Sequence, residues 1–597
     1  MRILGIHGGH NATACLYDSG SIVAEVSEER FCRRKNKSGF PTRAVDWLVT
    51  QYGLTPENLD RVAVGGLVTP MKEHAWQEDP WERFASGVGR LVPGSAMTSS
   101  ALVKPYLLLK GWMNPVRQQV TAHLAPYGID EGKVELVEHH MSHACAAYWL
   151  DFRRRHDGDT LVVTLDNTGD GLCGTVNIAD ASGAMRRIAA VQSLRSVGMM
   201  YTAVTRFLGM RPVEDEYKVM GLAPYARSRQ AERVYEILRG HVDLSADGLG
   251  FVNRTGLTES GYVARFRQEL SGFRFDNVAA GVQKLVEELV AAYLQAWSRR
   301  TGIRKLAVGG GVFMNVKLNM RLEAMEDFEE IFFLPSCGDE HNAAGAALKC
   351  AYEAHRANGQ PFSPAPLGPL YLGPDFTNEQ VEAVLRQESD RVEWRRSTDI
   401  ERETARLLAG GCIVGRMAGR MEFGARSLGN RSILARADSL NTVHKINAAI
   451  KMRDFWMPFA PAVLWERRHD YVVSPKDSPA PYMILGFPST DRARRELIAG
   501  LHPFDLTCRP QLVERQWNPK FHRLLQHFEE LTGYGGLLNT SFNLHGEPVV
   551  CAPEDAIRTY LESDLDVLTI NDYVVWHPGR AGRIAGSLDA RTTMATR

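Results

Sequence analysis

One punctuation pattern, present twice in the chain, restricts the fold more than any other feature. "RILGIHGGHNATACLYDSGSIVAEVSEER", from Arg2, reads as an apolar strand, a polar Gly-containing loop, a second strand, a turn at Asp18-Ser19-Gly20 and a third strand. "TLVVTLDNTGDGLCGTVNIADASGAMRRIAAV", from Thr160, repeats that order: a strand ending at Asp166, a Gly-rich loop, a strand, a turn near Ser182-Gly183 and a strand. Two hairpin units with the same layout point to an internal duplication in an α/β chain. Their loops can offer backbone N–H groups to a phosphate. Glycines after strands are also ordinary turn residues.

Two further stretches extend the pattern. "KLAVGGGVFMNVKLNMRL" reads as an apolar strand, the glycines Gly309, Gly310 and Gly311, and a helix. Glycine lets a backbone approach a ligand, and a helix N-terminus favours a phosphate. "IFFLPSCGDEHNAAGAALKCAYEAHR" reads as a strand, a turn bearing Asp339, and a helix of small residues.

The 597 residues exceed one ordinary domain. The clearest break is the Pro- and Gly-dense stretch "ANGQPFSPAPLGPLYLGPDF" at 357–376, whose core, 361–376, reads as a linker. This places a first domain over 1–360 and a second over 377–578, with a small, polar and disordered tail over 579–597. The segment at about 73–124 reads as a helical, amphipathic insertion. Its apolar residues suit either a wall for an apolar ligand or an interface in a homodimer.

Composition removes several function classes. The 70 basic and 70 acidic residues balance, so there is no electrostatic footprint for nucleic acid. Lys104 and Lys110 interrupt the best apolar run, which argues against a membrane span. "MRILGIHGGHN" reads as strand and turn, not as a basic segment with an apolar signal core. The nine cysteines form no C-x-x-C pair, as expected of reduced thiols in a cytoplasmic protein.

Chemistry concentrates first in "VEHHMSHACAAY", residues 137–148. His139 and His143 stand four apart, so a helix would place both imidazoles on one face, able to grip one ion. Such pairs also occur as plain surface or core residues. Asp166 and Asp339 are carboxylates at a strand end and a pre-helix turn, where an unpaired charge is costly. They also suit turn or cap roles. A metal held by all four would satisfy them, and the donor set fits Fe(II), Mn(II) or Zn(II).

Taken together, the motifs resemble the NodU/CmcH family of O-carbamoyltransferases. The matching stretches are "RILGIHGGHNATA", "SEERFCRRKNKSGFP", "VEHHMSHACAAY", "VVTLDNTGDG", "YKVMGLAPY", "VGGGVFMN", "PSCGDEHNAAGAAL", "RMEFGARSLGNRSILA", "KMRDFWMPFAPAVL", "CRPQLVE" and "LLNTSFNLHGEPVV". They span nearly the whole chain in order, leaving out the insertion and the tail. The resemblance implies an ASKHA-type duplicated domain (actin/Hsp70/sugar-kinase-like) followed by a YrdC-like α/β domain. It implies that the second domain makes carbamoyl-adenylate from carbamoyl phosphate and ATP, with Mg as the nucleotide's ion. The metal domain, with Fe(II) as the expected ion, then passes the carbamoyl group to a hydroxyl of a small molecule or sugar.

By family position, Arg426, Lys451 and Arg509 become phosphate contacts and Asn543 a polar anchor. Gly309, Gly310, Gly311 and Asn315 resemble a nucleotide loop, and Lys218 a phosphate contact. His10 and Lys35 resemble residues near the transferred group. Joining two polyanions requires fixed cations. Residues 416–453 supply Arg416, Arg420, Arg426, Arg431, Arg436, Lys445, Lys451 and Arg453, set mostly among Gly, Ser and apolar residues with Glu422 and Asp438 as the acids. Ordinary structural roles suit some of these, Arg416 and Arg436 among them. Two departures stand out: Met457 and His545 occupy positions where antibiotic-pathway members carry arginine. An ASKHA-type nucleotide-binding regulator without transfer chemistry is a competing reading, opposed by the metal quartet and the second cationic domain. Carbamoylation of tRNA is another, opposed by the neutral charge.

Overall fold

In the computed structural model, residues 1–69, 71, 115–153, 158–580 and 582 are described. They form two compact units. The first comprises Met1–Glu29 and Asn36–Leu367; the second comprises Gly368 onward together with the short excursion Arg30–Lys35. The expected insertion lies outside the described residues from 72 to 114, and its end forms the helix Val116–Leu124. The expected tail lies outside them apart from residues 579, 580 and 582.

The first unit holds two five-stranded sheets. In the first sheet, β1 (Arg2–His7), β2 (Thr13–Asp18) and β3 (Ser21–Ser27) run as an antiparallel meander. β4 (Arg61–Gly65) and β5 (Val134–Val137) add parallel strands on the other side of β1. The second sheet repeats this plan. β6 (Thr160–Gly169), β7 (Leu172–Ala179) and β8 (Met185–Gln192) form the meander. A small hairpin of β9 (Val242–Leu244) and β10 (Phe251–Asn253) intervenes. β11 (Lys305–Gly309) and β12 (Glu330–Phe333) then add in parallel beside β6. The orders β3-β2-β1-β4-β5 and β8-β7-β6-β11-β12 are therefore equivalent. The repeated punctuation of the sequence is a repeated topology.

Local sequence explains the layering. The apolar runs of β1 and β6 are buried on both faces, which removes polar alternation from a central strand. β8, at a sheet edge, is only partly buried and carries Arg186 and Arg187. The alanine-rich helix Asn342–Ala357 packs against the helix His139–Trp149 and against β1 and β4. Its small side chains allow that close approach, and the turn before it carries Asp339.

The second unit is one eight-stranded sheet in the order β13-β20-β19-β14-β15-β18-β16-β17. Its strands are β13 (Glu393–Arg396), β14 (Val414–Met417), β15 (Arg431–Ala435), β16 (Ala460–Leu464), β17 (Gln511–Val513), β18 (Gly536–Ser541), β19 (Val567–Ile570) and β20 (Tyr573–Trp576). The helices Ile400–Ala409 and Pro519–Thr532 cover it through Leu408, Phe521, Leu525 and Phe528, packed on Val414 and Leu537. The excursion is bonded into this unit. Arg33 donates to the carbonyls of Val549 (2.6 Å) and Pro548 (2.8 Å), and Arg30 donates to that of Gly424 (2.7 Å). All nine cysteines are free thiols. Among the described residues, no helix is long and apolar enough to cross a membrane.

Candidate metal centre and cation cluster

The histidine helix starts where the sequence supplies acceptors for its free N–H groups. Glu138 accepts from the backbone N–H of His140 and Met141, at 3.2 and 2.8 Å. Asp170 accepts from His139 N at 2.8 Å, and also from the backbone N–H of Leu67 and Val68. With the first turn fixed, the four-residue spacing puts His139 and His143 side by side, ring centroids 4.7 Å apart. β6 supplies Asp166, and the turn after β12 supplies Asp339.

The four side chains converge. Their donor atoms lie within 4.8 Å of one another. His143 Nε2 is 3.1 Å from His139 Nε2, 3.1 Å from Asp166 Oδ2 and 3.4 Å from Asp339 Oδ1. His139 Nε2 is 3.6 Å from Asp166 Oδ2 and 3.5 Å from Asp339 Oδ1. Donors about 2.0–2.2 Å from one tetrahedral ion stand roughly 3.3–3.6 Å apart, so these edges fit a divalent metal. Asp166 Oδ2 is buried without a well-formed hydrogen bond, and a cation would satisfy it. Nitrogen and oxygen donors of this kind suit a first-row transition metal.

The electrostatics agree. Burial opposes a charge on His139, but Asp339 and Asp166 outweigh it and push its imidazole up to about 10. The histidines in turn hold Asp166 and Asp339 below the usual carboxylate range, against the opposing effect of their burial. Without metal, the charged His139 pair stabilises the fold fully below the ordinary histidine value of about 6.5, and this is lost as pH rises through about 10. The depressed carboxylates stabilise above their ordinary value of about 3.8, and this is lost as pH falls toward their lowered ones. A metal must displace the proton of His139. Its affinity is therefore expected to rise with pH between about 7 and 9, by about tenfold per unit for each proton released. Chelator competition at several pH values checks this, and a flat profile would contradict the ligand role.

His10, in the loop after β1, is half-buried. Loss of water lowers its imidazole below the ordinary value, while Asp339 pulls the other way. The glycine triplet has a structural reason of its own. Gly310 has φ 98°, and a Cβ there would meet the Leu165 carbonyl oxygen at 2.2 Å; one on Gly311 would meet Asp166 Oδ1 at 3.1 Å. The triplet thus lets β11 lie against the strand end that carries Asp166. Asn315 caps its helix by accepting from Leu318 N (3.0 Å), and its amide donates to Gln283 (2.9 Å). Lys218 pairs with Asp215 at 3.3 Å.

The basic run of the second unit divides into two kinds of residue. Arg416, Arg420 and Arg431 donate to backbone carbonyls, among them those of Gly429, Leu372 and Gly419, and Arg436 pairs with Asp438. These are braces of the fold. Lys445 is exposed, and Arg426, Lys451 and Arg453 belong to a cluster with Arg509. Lys451, nearly fully buried, donates to Asn543 Oδ1 (2.8 Å), Ser541 Oγ (3.2 Å) and the Asn543 carbonyl (3.3 Å). Burial, then Arg453 and Lys35, push its ammonium well below the ordinary lysine value. Burial, then Arg426 and Arg453, do the same to Arg509. Lys35, expected beside the transferred group, belongs to the excursion Arg30–Lys35 and thus to this cluster. Among the described residues, the charged side chains acting on Lys451 and Arg509 are Lys35, Arg426 and Arg453. Such a concentration of positive charge suits an anion of several charges.

The residues 2–348 match the family described as carbamoyltransferase N-terminus, and residues 405–577 match carbamoyltransferase C-terminus. The chain belongs to the carbamoyltransferase family. Relatives of this carbamoyltransferase include the "Uncharacterized protein sll1178" of Synechocystis sp., 31% identical over 616 residues and covering 96% of both chains. The nodulation protein NolNO of Sinorhizobium fredii is 30% identical over 573 residues, 95% of this chain and 79% of its own. Nodulation protein U of Rhizobium fredii is 34% identical over 245 residues, 41% of this chain and 39% of its own.

The two departures have different surroundings in this carbamoyltransferase. Met457 is buried, next to Pro458, whose carbonyl accepts from Arg453 (3.3 Å). His545 is exposed, and its Nδ1 donates to the Lys451 carbonyl at 2.8 Å, bracing the backbone of the central lysine. His7, which the sequence reading passed over for His10, reaches Asp339 from β1. Its signal was position: it is the last buried residue of a central strand, where α/β folds place ligand-binding groups.

Proposed function

We propose that this carbamoyltransferase is an ATP- and carbamoyl phosphate-dependent O-carbamoyltransferase acting on a hydroxyl of a small-molecule natural product or sugar. The observation that carries the proposal is the cluster of basic groups in which Arg453 and Lys35 act on buried Lys451, and Arg426 and Arg453 on buried Arg509. A phosphorylated donor and a nucleotide triphosphate repel each other, and fixed cations remove that barrier. In the second unit, water releases phosphate from carbamoyl phosphate to leave carbamate. A carbamate oxygen then attacks the α-phosphorus of MgATP and pyrophosphate leaves. Lys451, Arg426 and Arg509 hold the phosphates, and Asn543 orients the central lysine through Oδ1, its own amide hydrogens going to the carbonyls of Leu544 and Glu547.

In the first unit the acceptor oxygen attacks the carbamoyl carbon, and AMP leaves with the bonding pair. His139, His143, Asp166 and Asp339 hold the divalent ion, Fe(II) in our reading, which supplies a Lewis acid when bound. The Gly309–Gly311 turn with Asn315, and Lys218, line the nucleotide side. In this reading His10 takes the acceptor proton, and the loss of water that lowers its imidazole supports that role by favouring the form able to accept. Carbamoyl phosphate-dependent pyrophosphate release from ATP tests the proposal directly. No release with a folded, metal-loaded protein would overturn it, and a screen of hydroxylated acceptors by mass shift identifies the second substrate.

Met457 gives a sharper test of the donor site. Met457→Arg is expected to lower the Michaelis constant for carbamoyl phosphate about tenfold if one charge-assisted contact is gained. It should also lower the melting temperature of the free protein, because it crowds like charges, with carbamoyl phosphate restoring the loss. An unchanged Michaelis constant would mean that the donor phosphate lies elsewhere.

A further inference from the structure

His7, the last residue of β1, is fully buried and lies against the metal centre. Its Nδ1 is 3.1 Å from the carbonyl oxygen of Gly65, at the end of the neighbouring strand β4. A carbonyl only accepts, so Nδ1 carries a hydrogen and donates it. Its Nε2 is 3.5 Å from Asp339 Oδ2 and has no hydrogen-bond partner among the described residues. The two oxygens of Asp339 thus have separate neighbours. Oδ1 faces His139 and His143, and Oδ2 faces His7. The His7 and His139 rings meet edge to face, centroids 6.4 Å apart. His7 stands outside the set of four converging donors. Gly9 keeps the space beside Nε2 clear: a Cβ there would lie 2.6 Å from that nitrogen.

We infer that His7 is a positioning residue for the metal centre, holding Asp339 through Oδ2 so that Oδ1 is presented to the ion. The terminal torsion of an aspartate is soft and roughly two-fold, so an unsupported carboxylate can exchange its oxygens or swing away. A ligating carboxylate held from behind loses that freedom before the ion arrives. Nε2, facing Oδ2, supplies the hold, and Nδ1–H to Gly65 fixes the ring plane against β4. The contact is long for a formed bond, and a shift of roughly 0.5 Å in the turn that carries Asp339 brings it within range.

The inference rests on the quartet being a metal site, and the test separates the two. Co(II) affinity of the full chain is measured by chelator competition, with the visible absorption of bound Co(II) as a report on ligand geometry. Circular dichroism and melting establish that each variant is folded. His7→Ala is expected to weaken Co(II) binding about 10–100-fold and to change the absorption bands. His7→Gln, whose amide nitrogen can stand near the Nε2 position and donate to Oδ2, should recover most of the affinity and the original spectrum. Gly9→Ala adds a Cβ 2.6 Å from the present position of Nε2 and should weaken binding in the same direction while leaving His7 present. This variant also decides the question if His7→Ala does not fold. Wild-type affinity and spectrum in both His7→Ala and Gly9→Ala would overturn the inference. So would equal losses in His7→Ala and His7→Gln with a normal Gly9→Ala. If the wild-type protein itself fails to bind Co(II), the metal centre falls and the inference falls with it.

Discussion

Replacing His139 and His143 together with alanine is expected to abolish stoichiometric binding of a divalent ion and, with it, carbamoyl transfer. Both imidazoles point their Nε2 atoms at the same two carboxylates, at 3.1–3.6 Å. Removing both leaves Asp166 and Asp339 facing each other without the two imidazoles that face them both, in a site that strips them of water. Loss of a single partner of an outer-layer kind costs 10–100-fold in metal affinity, and loss of two direct donors costs more than that. The variant should also show its carboxylates titrating at higher pH, because the histidines that depress them are gone. Carbamoyl phosphate-dependent pyrophosphate release, which we assign to the second unit, should survive. Elemental analysis showing full metal occupancy in the double variant would remove the quartet from the mechanism.

The sequence carried the duplication because hairpin punctuation is local. A strand, a Gly loop, a strand and a tight turn are each written within about ten residues, and the two copies fold into sheets of equivalent order. The quartet was legible for a related reason: His139 and His143 are fixed by helical spacing, and Asp166 and Asp339 end apolar runs. What stayed hidden depends on long-range packing. Arg420 and Arg431 look in sequence like Arg426, yet they end on backbone carbonyls that only the folded second unit brings near. Lys35 lies early in the chain, and nothing around it announces that Arg30–Lys35 packs with residues beyond 367. The glycine triplet reads as a phosphate cradle, while the structure adds a second demand on it, the approach of Leu165 and Asp166. His7 was hidden by its neighbour His10, because strand burial alone does not say which of two histidines faces the ligand.

The second large effect is a separation of function between Arg426 and Asp339. Arg426 bears on the charge of Arg509 in the cation cluster of the second unit, and Asp339 faces both His139 and His143 in the first. Removing one charge-assisted phosphate contact costs about 1.5–3 kcal/mol, so Arg426→Ala should lose pyrophosphate release and overall carbamoylation together, by about 10–100-fold. Asp339→Ala removes a direct donor to the ion and should lose acceptor carbamoylation while keeping carbamoyl phosphate-dependent pyrophosphate release. Carbamoyl-adenylate is a mixed anhydride that water attacks, so in this variant ATP is consumed without product. Chemically made carbamoyl-adenylate, supplied in a short pulse to limit hydrolysis, should restore product formation in Arg426→Ala and not in Asp339→Ala. That pattern requires adenylation and transfer to use different residues. If Asp339→Ala stays folded yet loses pyrophosphate release as well, one composite site performs both steps, and the assignment of adenylation to the cation cluster alone is wrong.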